Sequence, residues 1–317
     1  KAVFLPEFGG RLWELWDKYT GRNLLYTNDV LQFSNLAVRN AWFSGGVEWN
    51  IGIIGHNPFT TEPLYTAQIV NEDGEPVLRM YEYERITKSD LSDGLLARKK
   101  TAVFLNCRMR IVNEGKEVVP MYWWSNMAVP EYKNGRVVVP AVQAFTSRGT
   151  QVTKVDLPMV ENIDISDYTA IKKSVDYFFD IPAGCPKYIA NIDETGYGLL
   201  QISTERLRSR KLFSWGNQDA SNHWQEYLTD KAGRYLEIQA GLGKTQYGCI
   251  PMAPHTAWEW MEQYGSVQIS EDVLEKEYRE RTVLVTEKIL ETGLHEKLKE
   301  KLETSKEMSR KKDADSI

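Results

Sequence analysis

Two carboxylates in unusual settings are the first residues of this sequence that could do chemistry. The strand-like segment "RYLEIQ", residues 234–239, places Glu237 between two aliphatic residues. Glu48 follows "SGGV", whose glycines would let the backbone approach a ligand closely, and it precedes Trp49 and Asn50. Hydrolysis of a glycosidic bond requires two flanking carboxyl groups, one protonated and one ionised. We therefore take Glu237 and Glu48 as the first candidate pair.

Histidines offer a second kind of chemistry. Opening a sugar ring requires a base for the anomeric hydroxyl and an acid for the ring oxygen. Glu237 would be the base, and His56 in "GHNP" or His223 in "NHWQ" would be the acid, because an imidazole titrates near neutral pH. Glu131 and Glu226 are reserve candidates, since their spacing does not set them apart from surface acids.

Aromatic residues beside polar ones indicate the substrate class. The chain has 10 Trp and 16 Tyr, and many of them stand next to Asn, Gln or Glu. A single Trp is more often a core residue, but flat rings next to hydrogen-bonding groups suit sugars, and the pairing recurs here. We expect a carbohydrate ligand in an aromatic-lined cleft. The predicted substrate-binding residues are Trp49, Asn50, Trp123, Trp124, Asn126, Trp215, His223, Trp224 and Gln239.

Composition argues against several other partners. The 317 residues carry a formal net charge of -5, with 42% hydrophobic and 26% charged residues, and no basic run is interleaved with aromatics. We therefore predict a globular protein that does not bind nucleic acid. No apolar stretch is long enough to span a bilayer, and no signal peptide is recognisable at the start, so we expect no membrane association. The first residue is not Met, which is compatible with a fragment of a longer protein.

The cysteines and histidines predict neither a disulfide framework nor a metal site. Cys107, Cys185 and Cys249 are far apart, which favours a reducing, cytoplasmic location. The four His have no paired spacing of metal-ligand type. "GLGKT" lacks the earlier glycine of a phosphate loop, because that position is Ile238, so we predict no cofactor.

The elements that must position these residues are mainly strands. Short segments such as "AVFLNCRMRIV", "GRVVVPAVQAF" and "YGLLQIS" alternate with turn signals such as "NEDGEP" and "DETG". No strand–helix–strand rhythm is present, so we predict a large antiparallel β-sandwich over residues 1–269.

Helices are expected over residues 270–317. Ser270 can cap a helix that has Glu271 and Asp272 in its first turn, and Gly293 interrupts or ends it. Leucines at helical spacing, including Leu298, then form a narrow apolar stripe on a charged helix. Either this stripe packs back on the sandwich, or it begins a helical-repeat region or mediates self-association.

Two segments carry a family resemblance. "PEFGGRLWELWDKYTGRNLLY" resembles an early strand pair of the galactose mutarotase-like β-sandwich, and "RYLEIQ" resembles a late strand of aldose 1-epimerases. "GGVEWNIGIIGHNP" and "PMYWWSNMAVPE" are most similar to the DUF5107 domains found at the N-terminus of tetratricopeptide-repeat proteins. The resemblance covers residues 1 to about 268 and implies that Glu237 is a catalytic base.

The sequence also departs from that family. The mid-chain histidine of epimerases corresponds here to Tyr122 or Trp123, so the usual general acid is missing. The Gly-Gly-Arg strand begins almost at residue 1, so N-terminal strands would be absent or supplied by another segment. For these reasons glycoside processing by Glu237 and Glu48 is the first hypothesis. The alternatives are an aldose 1-epimerase that uses Glu237 with His56 or His223, and a non-catalytic carbohydrate-recognition module.

Overall fold

Antiparallel strands make up most of the chain. The computed structural model describes residues 1–33, 42–52, 55–71, 74–84, 89–97 and 104–310. The strands, numbered in chain order, are β1 (Ala2–Leu5), β2 (Arg11–Asp17), β3 (Arg22–Asn23), β4 (Val47–Gly52), β5 (Tyr65–Val70), β6 (Pro76–Glu84), β7 (Ser89–Ala97), β8 (Phe104–Asn113), β9 (Val119–Pro130), β10 (Arg136–Val138), β11 (Gln143–Arg148), β12 (Gln151–Asp156), β13 (Met159–Val160), β14 (Ile163–Asp164), β15 (Val175–Phe179), β16 (Lys187–Ile192), β17 (Tyr197–Ser203), β18 (Ser209–Ser214), β19 (Tyr235–Gly241), β20 (Ile250–Met252) and β21 (Thr256–Gln268).

Helices are fewer and lie mainly at the C-terminal end. They are α1 (Asp219–Leu228), α2 (Glu271–Leu274), α3 (Tyr278–Glu291) and α4 (Leu294–Arg310). Short 3-10 turns occur at Pro58–Thr61 and Tyr168–Ala170.

The strands form two large sheets. The order in the larger sheet is β1-β2-β4-β9-β19-β18-β15-β11-β12, with β3 and β20 attached to β2 and β9. The order in the smaller sheet is β10-β16-β17-β21-β8-β7-β6-β5. The predicted antiparallel β-sandwich with helices after it is therefore confirmed.

Alternating side chains explain why the two sheets stack. In β19, Leu236, Ile238 and Ala240 point into the main hydrophobic core, while the residues between them face the other way. Large aromatic rings from both sheets pack together in this core. Trp123 of β9 and Trp260 of β21 are examples, and their ring centroids are 4.7 Å apart. The larger sheet thus has one face in the core and a second face free to form a site.

A second core joins the C-terminal helices to the outer face of the smaller sheet. Val285 and Ile289 of α3 and Leu298 of α4 are buried against Tyr188 and Ile202 of that sheet. The leucine stripe of α4 therefore packs on the β-sandwich, which is the first of the two predicted arrangements.

The helix predicted to begin at Ser270 is interrupted earlier than expected. It ends at Leu274, and α3 starts only at Tyr278. The buried Arg281 donates hydrogen bonds to the carbonyl oxygens of Leu274 and Lys276, at 3.0 and 3.1 Å. At the end of α2, these bonds take the place of the backbone hydrogen bonds that a continued helix would form. The side chain of Ser270 makes no capping hydrogen bond, whereas Gly293, at φ +64°, separates α3 from α4 as predicted.

Within the ranges that the structure describes, no helix is both long enough and apolar enough to cross a bilayer.

Candidate functional site

Four neighbouring strands bring the polar residues of the larger sheet together. Glu48 of β4 is paired with Asn126 of β9, and Asn126 is also paired with Gln239 of β19. Glu237, two residues before Gln239 in β19, is paired with Phe213 of β18. Because side chains alternate along a strand, these residues share the face that points away from the core.

The amide group of Asn126 connects the two carboxylates. Its Nδ2 donates to Glu48 Oε1 at 3.0 Å and to Glu237 Oε2 at 2.9 Å. An amide nitrogen carries two hydrogens, so both bonds can be made at once. All three side chains are buried. Gln239 adds a longer bond of 3.4 Å from its Nε2 to Glu237 Oε2.

Glu48 is also held between two basic groups. Its Oε2 accepts a 3.0 Å hydrogen bond from Arg11 Nη2, and its Oε1 lies 2.7 Å from His56 Nδ1. Arg11 is itself fixed by the carbonyl oxygens of Phe43 and Gly45. The contact with Glu48 engages Nδ1 of His56, so Nε2 is the ring nitrogen that Glu48 does not use.

The pKa values of the two carboxyl groups are moved in opposite directions. Burial alone would raise the pKa of Glu48, but the positive charges of His56 and Arg11 outweigh it and lower that pKa to about 2. Burial raises the pKa of Glu237, and the negative charge of Glu48 adds to this effect, although His56 and Asn126 oppose it. The Glu48 carboxylate is therefore ionised at neutral pH, while ionised Glu237 is a stronger base than an ordinary glutamate.

The loop that carries His56 is anchored to β4. Asn57 caps the 3-10 turn Pro58–Thr61 by accepting a hydrogen bond from Phe59 N. Its Nδ2 donates to Ile51 O at 2.7 Å, and its backbone N–H donates to Asn50 Oδ1 at 2.7 Å. The two asparagines thus fix His56 relative to the sheet.

A cavity of 530 Å³ opens over this face of the larger sheet. Its walls carry more polar side chains than aromatic rings, and Glu237 and His56 both line it. The lining residues are Trp42, Gly55, His56, Trp124, Ser174, Asp176, Lys211, Phe213, Trp215, Gln218, Ala220, Ser221, Trp224, Glu237, Gln239 and Gln246.

Rings surround the imidazole in the cavity wall. The ring centroid of His56 lies 5.1 Å from that of Trp124 and 6.0 Å from that of Trp42, both in edge-to-face arrangements. Trp42 in turn lies 6.4 Å from Trp215. Such a wall offers flat apolar surface close to the polar groups of the cavity floor.

The family model described as a domain of unknown function, DUF5107, matches residues 1–256. The chain belongs to the DUF5107 family.

Solved structures show the galactose mutarotase-like fold. A TPR-domain containing protein from Parabacteroides distasonis ATCC 8503 superposes with a TM-score of 0.75 at 21% identity, over 87% of this chain. The present chain spans only 47% of that protein. A galactose mutarotase-like protein from Lactobacillus casei ATCC 334 gives a TM-score of 0.57 at 8% identity, covering 84% of this chain and 96% of its own.

A galactose mutarotase related enzyme from Lactobacillus acidophilus gives a TM-score of 0.54 at 8% identity, covering 86% of this chain and 98% of its own. At these identities the likeness establishes the fold of the DUF5107 domain. The resemblance to DUF5107 stated from the sequence is confirmed by the family model, and the galactose mutarotase-like fold is confirmed by the solved structures.

Six of the predicted site residues line the cavity of this DUF5107 domain. They are His56, Trp124, Trp215, Trp224, Glu237 and Gln239. Three others, Glu48, Asn50 and Asn126, lie behind the cavity surface, where they hold Glu237 or the His56 loop.

The remaining three predicted site residues lie away from the cavity of the DUF5107 domain. Trp49 points to the opposite face of β4, where its Nε1 donates to Tyr264 Oη at 3.4 Å. Trp123 is fully buried in the core against Trp260. His223 is exposed on α1 and is not part of the lining. For both tryptophans the reason is strand alternation, which places them on the core face.

One reserve acid and the glycines before Glu48 have structural contacts, and the other reserve acid is exposed. Glu131 forms a two-pronged ion pair with Arg234, at 2.9 and 3.2 Å, and Glu226 is exposed on α1. The predicted close approach at "SGGV" is to β2 and not to a ligand. A Cβ on Gly46 would lie 2.5 Å from the carbonyl oxygen of Leu12, and Gly46 has φ +69°.

Sequence reasoning missed several residues of the site in the DUF5107 domain. Arg11, Trp42, Asp176 and Lys211 were not predicted, although Lys211 lines the cavity with its Nζ 2.7 Å from Asp176 Oδ1 and 3.1 Å from Gln246 Oε1. For Asp176 and Lys211 a signal of the same kind as for Glu237 was available, namely a charged residue within a strand-like segment, but it did not indicate their contacts. Trp42 is not charged and carried no such signal. Among the described residues, no cluster of three or more His, Cys, Asp or Glu side chains could hold a metal ion.

Proposed function

We propose that the DUF5107 domain binds a reducing sugar in this cavity and catalyses the exchange of its anomers. The observation that carries the proposal is that Glu237 and His56 line one cavity and differ in chemical type. Anomer exchange needs such a base and acid on a single sugar ring. The likeness to a galactose mutarotase related enzyme supports the same reaction class.

The proton transfers follow from the roles of the two side chains. Ionised Glu237 takes the proton of the anomeric hydroxyl, and the imidazolium of His56 gives a proton to the ring oxygen as the bond between that oxygen and the anomeric carbon breaks. The open-chain aldehyde turns about its C1–C2 bond. Ring closure on the other face reverses both transfers and restores Glu237 and His56 to their starting forms.

The environment of each group supports this assignment. Burial raises the pKa of Glu237, which makes the ionised carboxylate a better proton acceptor. Glu48 holds His56 through Nδ1, so Nε2 is the nitrogen that can meet the ring oxygen. Trp124 and Trp42 would pack against the apolar faces of the sugar.

Glycoside hydrolysis, the first hypothesis from the sequence, has less support. It would require Glu48 to reach the glycosidic bond or an attacking water. Glu48 is 3% exposed, does not line the cavity and is engaged by Arg11, Asn126 and His56. A carboxyl group whose pKa is lowered to about 2 is also a poor proton donor at neutral pH.

Anomeric-proton NMR on free sugars and methyl glycosides tests the proposal. We expect the protein to accelerate anomer exchange of reducing sugars such as glucose and galactose and to leave methyl glycosides intact. His56→Gln should lose the acceleration, whereas His223→Gln, a control at an exposed histidine off the cavity, should retain it. Released methanol would instead indicate a hydrolase. Line broadening without any chemical change would indicate a non-catalytic recognition module.

A further inference from the structure

Helix α1 presents two large aromatic side chains to solvent, and one of them, Trp224, lines the cavity. Trp224 is 41% exposed and Tyr227 is 58% exposed. Their ring centroids are 5.7 Å apart and their planes meet at 84°, so the edge of one ring contacts the face of the other. This contact restrains the Trp224 ring before any ligand arrives.

These rings are not needed to attach the helix. The buried residues of α1 are Ser221, Gln225 and Leu228, and they form its contact with the domain. Trp224 and Tyr227 therefore leave apolar surface in water without serving the core. Exposed aromatic surface beside a polar-rimmed cavity is typical of a binding function.

Trp224 lies at the mouth of the cavity, while the proposed catalytic groups lie deeper. Glu237 and Trp124 line the same cavity but are only 6% and 4% exposed. A sugar ring bound at Glu237 and His56 would be surrounded by Trp124, Trp42 and Trp215. Trp224 is then available to a group that extends from that ring towards solvent.

We infer that Trp224, supported by Tyr227, is a second sugar-binding subsite, and that the ligand is a reducing oligosaccharide. Its reducing-end residue would occupy the position at Glu237 and His56, and the next residue would stack on Trp224. This inference rests on the proposed function for the placement of the reducing end. The cavity volume of 530 Å³ falls in the range of roughly 300–1,000 Å³ that holds ligands larger than one sugar ring.

Binding measurements on the Glu237→Gln variant test the subsite without any turnover. Affinities for glucose and galactose are compared with those for maltose, cellobiose and lactose by ligand-observed NMR titration. We expect at least one disaccharide to bind roughly three- to tenfold more tightly than its reducing-end monosaccharide, as expected for one additional aromatic contact. In this variant, the further substitution Trp224→Ala should reduce the ratio of disaccharide to monosaccharide affinity to about one. Tyr227→Ala should reduce the same ratio partly.

A matched control uses an exposed aromatic residue that does not line the cavity. Tyr19 is 93% exposed in the turn between β2 and β3, and Tyr19→Ala should leave the ratio unchanged. Three results would overturn the inference: equal affinities for mono- and disaccharides, a disaccharide preference that survives Trp224→Ala, or no binding of any of these sugars. A preference that depends on Trp224, in a protein that shows no anomer exchange, would reject the proposed reaction and retain the subsite.

Discussion

At the residue scale, one amide group links two carboxyl groups that have opposite electrostatic surroundings. Asn126 donates to both Glu48 and Glu237, but only Glu48 also contacts Arg11 and His56. The charge of Glu48 is therefore compensated, whereas ionised Glu237 is buried with less compensation. The first arrangement favours a fixed anion, and the second favours a base.

Because Glu48 is a fixed anion, we predict that Glu48→Gln lowers the stability of the fold by an amount that depends on pH. Since its folded pKa is lowered from 4.5 to about 2, ionised Glu48 stabilises the fold above about pH 4.5, and this stabilisation is lost as the pH falls towards 2. The variant leaves the Arg11 guanidinium buried without its partner. We expect a loss of roughly 3–5 kcal/mol in the free energy of unfolding at pH 7, measured by urea denaturation. The loss should shrink below pH 4.5.

Glu237→Gln is the matched comparison, and its effect on stability should change with pH in the opposite direction. The raised pKa of Glu237 means that its ionisation costs stability, and the cost grows as the pH rises from the unfolded pKa of 4.5 to the folded pKa. This variant should therefore gain stability relative to the wild type on going from pH 4 to pH 8. Equal pH profiles for the two variants would show that the carboxyl groups do not differ in charge state.

At the element scale, strand alternation explains both what the sequence predicted and what it missed. A carboxylate inside the strand-like "RYLEIQ" had to face away from the core, and Glu237 does so. The same rule places Trp49 and Trp123 on the core face, but it requires the register of β4 and β9, which turn signals alone do not define. The contacts of Arg11 and Lys211 depend on pairings between distant segments, so no local pattern indicates them.

The 3-10 turn after His56 gives a prediction at this scale. Asn57→Ala removes the cap and the hydrogen bond to Ile51 O, so the loop that carries His56 loses two anchoring hydrogen bonds and keeps the one from the Asn57 backbone N–H to Asn50 Oδ1. We expect the unfolding free energy to fall by about 1 kcal/mol and kcat for anomer exchange to fall roughly tenfold or more. Asn71→Ala is a suitable control, because Asn71 Oδ1 accepts from Glu75 N at 2.7 Å in the hairpin between β5 and β6. An equal loss of kcat in both variants would argue against a role for the turn.

At the scale of the whole molecule, the smaller sheet lies between two apolar layers. The larger sheet covers one face, and helices α3 and α4 cover the part of the other face that β10, β16, β17 and β21 form. Tyr278 of α3 also reaches the sandwich directly, because its hydroxyl donates to Ala141 O at 2.8 Å. The composition change near residue 270 predicted helices but did not indicate which face they cover, since an apolar stripe does not identify its partner.

This layering predicts that the helices and the sandwich unfold together. Leu298 is fully buried in the second core, so Leu298→Ala should lower the free energy of unfolding by roughly 2–5 kcal/mol in a single transition. Leu290→Ala is the control, because Leu290 is 43% exposed on α3. This variant should change the free energy of unfolding by less than about 0.5 kcal/mol. Separate transitions followed by far-UV circular dichroism and Trp fluorescence would contradict the single layered unit.

The most direct measurement of the proposed function is the rate of glucose anomer exchange by magnetisation-transfer NMR. The wild type is compared with Glu237→Gln, His56→Gln and the double variant at pH 7. We predict that each single substitution lowers the protein-dependent rate by roughly 100-fold or more, and that the double variant is little worse, because the two groups act in one step. A wild-type rate no faster than the buffer rate, or an unchanged rate in Glu237→Gln, would contradict the assignment of Glu237 and His56 as base and acid.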